Sequence, residues 1–402
     1  MEAARRIGAE LTVAAERSSA FQNANPAGLI TLDLADPGRA ADQARAFAQV
    51  EPVAGVVGVD DDTAVVAAAI AGALGLRGNT VAAARAARDK HEQRTLLAAA
   101  GVLVPRFSLH RVDADPQRLA AEASFPCVIK PLRLSASRGV IRADAPAEFV
   151  AAFERLRRIL AEPDVAQCGE PTRSVLVEDF VPGTEHALEG LLMDGELHVL
   201  ALFDKPDPLN GPYFEETIYV APSRLPPPAP GDIQACAQRA AAAIGLREGP
   251  VHAELRWNER GAWLIEIAAR PIGGRCSGAL RFTSREGERG TGDDLSLEEI
   301  VIRHALGLPV PTLQRERQAS GVMMIPVPQA GVLREVRGVA AARAVPLVED
   351  VAITAHPGQT LVPWPEGSRY PGFIFARGET PEAVTAALRA AHHRLDFVVD
   401  PG

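Results

Sequence analysis

The sequence predicts an α/β protein in three parts, and three observations carry that reading. Short apolar strands alternate with helices through residues 1–84, the pattern of a parallel, Rossmann-like sheet with crossover helices. Two strands, VHAELRW (251–257) and AWLIEIAARP (262–271), each carry one central glutamate and flank a turn at Asn258-Glu259-Arg260-Gly261. After a Pro/Gln/Arg linker at 309–319, residues 320–402 read as a small, separate α+β piece.

The elements follow in order. Residues 2–8 read as helix, 10–15 and LITLDLAD (29–36) as strands, and 37–50 as helix. The buried run VAGVVGVDDD (53–62) reads as a further strand before a helix over 63–75. Such a unit ordinarily opens with a strand, so the expectation is that Met1 is a late start, with a domain lacking its first strand as the alternative. A single helix is expected over 82–101, stopped by Gly101 and Pro105. Strands VPRFSLH and FPCVIKPL follow, then the loop RLSASRGV and a helix over 146–160. A surface loop at 162–173 precedes the strand SVLVEDFVPG and a hairpin turning at Asp194-Gly195. The stretch 206–230 holds eight prolines and reads as extended loop. Helices are expected over 232–244, 297–306 and 381–394, with a mobile glycine- and charge-rich stretch at 281–294. No internal repeat is visible.

Composition bounds the function. With 402 residues, 47% hydrophobic and 23% charged, the chain can bury sizeable cores. A net charge of −9 argues against a nucleic-acid or anionic-membrane partner. No apolar run approaches the roughly 18 residues of a membrane span, and the N-terminus has no signal-peptide core. Cys127, Cys168, Cys236 and Cys276 lack metal-ligand spacing and read as packing residues of a reduced, cytoplasmic protein.

The chemistry gathers around acidic and basic side chains. A hairpin turning about Arg260 sets Glu254 opposite Glu266 and Trp257 opposite Trp263. Carboxylates facing across a sheet repel and call for a cation between them. Glu266, Ala268 and Arg270 share a face, because strand side chains alternate. Together they suit one or two Mg²⁺ ions and the phosphates these carry. Lys90 sits at a helix start and Lys130 closes an apolar strand, where an ammonium must reach water or an anion. The loop Ser135 to Val140, with Ser137, Arg138 and Gly139, suits backbone contact with phosphate oxygens, yet it is not a Walker A loop. At VEDFVPGTEH, Asp179, Phe180 and Val181 can present backbone groups to an adenine edge, and Glu185 can meet a ribose hydroxyl.

In this order, Lys90, Lys130 with its loop, Glu178 to Glu185, then Glu254 and Glu266 resemble the ATP-grasp superfamily over about residues 85–310. The resemblance implies the ATP-grasp fold, two α+β subdomains gripping ATP, between the Rossmann-like domain and the C-terminal piece. It implies an ATP-dependent carboxylate–amine ligase working through an acylphosphate on small-molecule acid and amine substrates. Lys90, Lys130 and the 137–140 loop would hold ATP phosphates. Glu178 to Val181 and Glu185 would hold adenosine, and Glu254 and Glu266 would bind Mg²⁺, with Mn²⁺ as a substitute. Where the family's second metal strand commonly reads Glu-x-Asn, this chain has Ala268, which removes one ligand. Arg270-Pro271-Ile272-Gly273-Gly274, the segment GPYFEETIYVAPSRL and the C-terminal PGFIFARG resemble the dipeptide-forming L-amino acid ligase branch. There Glu216 would face the substrate ammonium, Tyr219 would line the pocket, and Arg270 would stabilise the acylphosphate. Gly273 and Gly274 suggest room for a first substrate larger than alanine. Alternatives are a carboxylation of the biotin-carboxylase kind, ligation of a non-amino-acid acid, or an ATP-binding module without turnover. A homodimer is the expected assembly.

Overall fold

The computed structural model describes residues 1–16, 28–167, 169–283 and 294–401. Cys168 and most of the glycine- and charge-rich stretch at 281–294 lie outside the described residues.

In the N-terminal part, Val13–Ala15 pairs in parallel with Leu29–Thr31, and the helices Pro37–Phe47 and Asp61–Leu74 pack beside them. The run 53–59 is not a strand. Its glycines instead let the backbone pass close to neighbouring elements. A Cβ on Gly55 would meet Ala305 O at 2.9 Å, and one on Gly58 would meet Ala64 Cα at 2.7 Å. The extended run delivers Asp60 as a helix cap, whose carboxylate accepts from Thr63 N at 2.7 Å, and Asp61 as the residue after it.

The helix expected over 82–101 is two helices, Val81–Arg88 and Lys90–Ala99. Asp89 breaks it by adopting extended backbone and capping the second helix through His91 N and Glu92 N. That second helix is fastened to the edge of the main sheet. Gln93 donates to Ile267 O at 2.8 Å and accepts from Ile267 N at 3.2 Å, so the edge strand is covered.

The main sheet has eight strands, all paired antiparallel. Their order is Gly261–Ala268, Gly249–Asn258, Thr184–Met193, Glu196–Asp204, Ile218–Ala221, Ala319–Met324, Gly372–Gly378 and Val348–Ile353. Two expectations change here. The proline-rich stretch is not all loop, because its proline-free Ile218–Ala221 joins the sheet and its last proline, Pro230, falls in the first turn of the helix Ala229–Ile244. The C-terminal piece is not separate either, since three of its strands continue the same sheet. A second sheet, ordered Phe107–Arg111, Ser174–Asp179, Cys127–Pro131 and Ile141–Ala143, packs on the helix Pro146–Leu160 through Ile129, Phe149, Phe153 and Leu156. A small C-terminal sheet joins Thr360–Leu361, Gly331–Arg337 and Asp396–Asp400.

Candidate active site

A cleft of about 300 Å³ opens between the two larger sheets, and residues from the N-terminal and C-terminal parts close it. Sequence-predicted residues lining it are Lys90, Lys130, Ser137, Val140, Glu178, Asp179, Phe180, Val181, Glu185, Glu216, Tyr219, Glu254, Glu266, Arg270, Gly273 and Gly274. Arg138 and Gly139 do not line it. Arg138 turns away to Asp164 at 2.8 Å and Glu162 at 2.5 Å, and Gly139 packs its backbone on Leu156 and donates to Pro365 O.

The glutamate hairpin is built with a compensated register. Its turn is the two residues Glu259-Arg260, so Arg256 faces Trp263 and Trp257 faces Ala262, not Trp263. A bulge at Ile265 then shifts the register by one, which returns Glu254 to the position opposite Glu266. Without the bulge, Glu266 would move off the register that faces Glu254. Arg94 donates to the carbonyl of Ile265, so the helix Lys90–Ala99 supports the bulge.

Charge on this face is paired strand by strand. His252, Glu254 and Arg256 alternate along Gly249–Asn258, with Glu189 opposite His252 and Glu185 opposite Arg256. His252 lies between Glu189 at 3.4 Å and Glu254 at 3.5 Å. Burial pulls its pKa down, but these two carboxylates outweigh burial and lift it to about 9. Arg256 donates to Glu185 at 2.9 Å and to Val181 O at 2.9 Å. Ala268, where a further oxygen ligand was sought, faces His252 and is buried.

Lys205 sits at the centre of the acidic group. Its ammonium is 2.8 Å from Glu185, 2.5 Å from Glu216 and 3.3 Å from Glu254, and its side chain is only 3% exposed. Burial alone would lower its pKa, and the three carboxylates raise it well above the ordinary lysine value. Glu216 is pushed up to about 7 by burial, against Lys205. Glu254 goes the other way: burial favours its neutral form, but Lys205 and His252 outweigh that and hold it ionised. Glu266 meets Lys90 at 3.2 Å. Lys205 and His252 thus balance Glu254 and Lys90 balances Glu266, so the protein itself supplies positive charge to the opposed pair. An ionised Glu254 beside Glu266 offers the hard oxygens that Mg²⁺ takes, so the residues present fit such an ion.

On the other wall, Glu178 is 2% exposed and shared by Arg94 and Lys130, both at 2.5 Å. Burial pushes its pKa up, yet these two cations keep it lowered. The carboxylate therefore serves as internal counter-ion to Lys130, and the neighbouring backbone is what remains to meet a ligand. There the N–H groups of Asp179 and Phe180 are spent on Arg106 O and Pro126 O. Val181 N has no protein partner among the described residues and lines the cleft, so it is an available donor. Phe180 lies under two guanidiniums, Arg142 at 4.0 Å and Arg256 at 4.7 Å from its ring centre.

Arg270 is gripped by Asp61, which accepts from its Nε at 2.8 Å and its terminal nitrogen at 3.2 Å. Asp61 also accepts from Ser135 Oγ at 2.9 Å, tying the N-terminal part to the 135–140 loop. That loop holds Ala136 and Ser137 at φ 53° and 55°, a conformation L-residues rarely take. The indole of Trp364 donates to Ala136 O at 2.7 Å and clamps it. Gly274 does not open room as expected: a Cβ there would fall 2.4 Å from Met324 Sδ. Gly273 does face open space.

Sequence reasoning missed Asp61, Arg94, Lys205, His252 and Arg256. Lys205 closes the apolar strand ELHVLALFD as Lys130 closes CVIKP, so the same signal was present. His252 and Arg256 stand two residues either side of Glu254, within reach of a period-two reading. Asp61 and Arg94 had no local signal.

Comparison with known proteins agrees with this geometry. Residues 1–78 match an ATP-grasp N-terminal domain, 123–279 an ATP-grasp domain, and 323–400 an L-amino acid ligase C-terminal domain 2. The chain belongs to the ATP-grasp superfamily. Within it, the chain resembles the L-amino acid ligase branch: an L-amino acid ligase from Bacillus licheniformis superposes with TM-score 0.77 at 25% identity, covering 99% of this chain and 95% of that one. Alanine–anticapsin ligase of Bacillus subtilis is 30% identical over 50% of this chain and 44% of its own length. The protein y4rH of Sinorhizobium fredii is 26% identical over 78% of this chain and 61% of its own. The chain therefore spans less than two thirds of either curated relative. Among the described residues no helix is long and apolar enough to cross a membrane.

Proposed function

We propose that this chain is an ATP-dependent carbon–nitrogen ligase that joins an amino acid to an amine or second amino acid, giving ADP and phosphate. The observation that carries this reading is one cleft that sets two lysines and two opposed carboxylates beside an arginine and a glutamate suited to an amino acid. Lys90 and Lys130 hold the phosphate chain, Lys205 holds Glu185, Glu216 and Glu254 in place, and Val181 N donates to the adenine ring. Arg270, fixed by Asp61, orients the substrate carboxylate, and Glu216 with Tyr219 receives its ammonium. Glu254 and Glu266 would hold Mg²⁺, which when bound would supply positive charge against the phosphates.

The substrate carboxylate oxygen attacks the γ-phosphorus, the bond to ADP breaks, and an acylphosphate forms. The amine nitrogen then attacks the acyl carbon, phosphate departs, and the nitrogen loses a proton. Lysine charge counts most where a bound substrate displaces water from the cleft. The phosphate loop, held by Trp364 and Ser135, keeps water from the acylphosphate. L-amino acid ligase and alanine–anticapsin ligase, by their names, are ligases of this kind, and their likeness supports the reading.

The test is phosphate release from Mg·ATP against pairs of the twenty amino acids, with mass spectrometry of every positive well. A product mass equal to two substrates less water is expected. Turnover that requires bicarbonate would replace ligation with carboxylation. Bound ATP with no phosphate release in any well would reject the ligase reading.

A further inference from the structure

The hydroxyl of Tyr370 is buried and has no hydrogen-bond partner among the described residues. It belongs to the C-terminal part of the chain but lines the cleft with Phe214, Cys276, Met324 and Gly273. The ring is held firmly. Trp364 lies against it with centroids 4.8 Å apart, Phe373 meets it edge-on at 6.3 Å, and its carbonyl accepts from Thr354 Oγ1. Buried hydroxyls are almost always paired, and phenylalanine would fill the same space without an orphaned group. Burial first, then the Glu216 and Glu215 carboxylates, raise this phenol well above its ordinary pKa, so it stays a neutral group able to donate or accept.

The surroundings say which part of a ligand reaches it. With the carboxylate at Arg270 and the ammonium at Glu216, as the proposed function has it, the side chain of the acid substrate points toward Gly273, Cys276 and Met324. Gly273 leaves open space there, whereas Met324 fills the space beside Gly274. The charged groups nearby are already engaged, Lys205 with three carboxylates, Glu216 with Lys205 and the substrate ammonium, and Glu215 with Val327 N, so a charged side chain finds no free counter-ion. We infer that Tyr370 is a specificity-determining residue whose hydroxyl reads an uncharged hydrogen-bonding group on the side chain of the acid substrate. This inference rests on the proposed ligase reading for the orientation of the substrate.

A site built around such a hydroxyl favours the polar member of an isosteric pair, by about tenfold or more, because the apolar member leaves the hydroxyl unpaired. The experiment is titration calorimetry of the full chain, loaded with Mg and a non-hydrolysable ATP analogue, against threonine versus valine and glutamine versus methionine. The parent protein is expected to bind at least one polar member about tenfold more tightly than its partner. In Tyr370→Phe the ratio should fall to near one, with the apolar members bound as well as before. Equal affinities in the parent, an unchanged ratio in the variant, or no amino-acid binding at all would overturn the inference. Thermal melting without amino acid gives a second reading: Tyr370→Phe should melt at or above the parent, and a lower value would mean that the hydroxyl already has a partner. Phosphate release measured alongside separates the two ideas. Binding that follows the expected ratios without phosphate release rejects the ligase reading alone, and phosphate release with unchanged ratios rejects Tyr370 alone.

Discussion

Replacing Lys205 with methionine removes the cation that three carboxylates share while keeping most of its length. Oxygens of Glu185, Glu216 and Glu254 lie within 4.8 Å of one another. At that separation and an effective dielectric of about 20, each ionised pair repels by roughly 3.5 kcal/mol. Protonation relieves part of this, most readily at Glu216, whose pKa is already about 7. Breaking a buried ion pair costs about 3–5 kcal/mol, so Lys205→Met should lose about 3 kcal/mol of unfolding free energy at pH 8. The sign of its pH dependence follows from the carboxylates. In the variant their folded pKa values rise above the unfolded value of about 4.3, so the folded state binds more protons and the loss shrinks as pH falls. Urea unfolding at pH 6 and pH 8, with and without millimolar Mg²⁺, measures both effects. Magnesium should restore stability at pH 8, since the vacated cluster of three carboxylates, present only in the folded chain, would accept the cation in place of the ammonium. Phosphate release should fall by roughly 10²-fold or more. A variant as stable as the parent at pH 8, indifferent to pH and Mg²⁺, would refute the placement of Lys205 among these carboxylates.

Other outcomes follow from the same geometry. Asp61→Asn leaves Arg270 without its charged partner and should cut kcat/KM by about 10²-fold through misplacement of the substrate carboxylate, as read from steady-state phosphate release. His252 has a folded pKa of about 9 against an unfolded value near 6.5, so its stabilisation is complete below pH 6.5 and lost as pH rises through 9; the deficit of His252→Gln in urea should vanish by pH 10. Trp364→Phe frees Ala136 O, and proteolytic cleavage within the 135–140 loop should quicken while KM for ATP rises several-fold. Burial pushes the Cys127 thiol to about 12 and Cys236 to about 11, so a thiol reagent at pH 8 should leave both unmodified until the chain unfolds.

Much of the candidate site was legible because its signals are local. A glutamate on each arm of a hairpin, a lysine closing an apolar strand and an acidic Pro-Gly turn depend on residues a few positions apart. Their order along the chain indicated the superfamily, and the helices expected over 146–160 and 297–306 are found at Pro146–Leu160 and Leu297–Ala305. The errors lie where distant neighbours decide. The run 53–59 has strand composition but no partner strand, and it threads between two helices on its glycines. Ile218–Ala221 becomes a strand because Ala319–Met324, a hundred residues on, offers it a ladder.

The pairing of Glu254 with Glu266 shows the division most clearly. Alternation along each strand placed both glutamates on one face, which the sequence by itself determines. Their register depended on a two-residue turn and a bulge at Ile265, and the helix Lys90–Ala99 docks on that bulge. Sequence likewise determined which residue types carry charge, since burying an ammonium or carboxylate requires a partner. Tertiary structure alone decided the partners: Lys205 among three glutamates, Arg94 with Lys130 on Glu178, and Asp61 on Arg270 across 209 positions of chain. Charge pairing acts over a few ångströms of space, and nothing in linear order reports that distance.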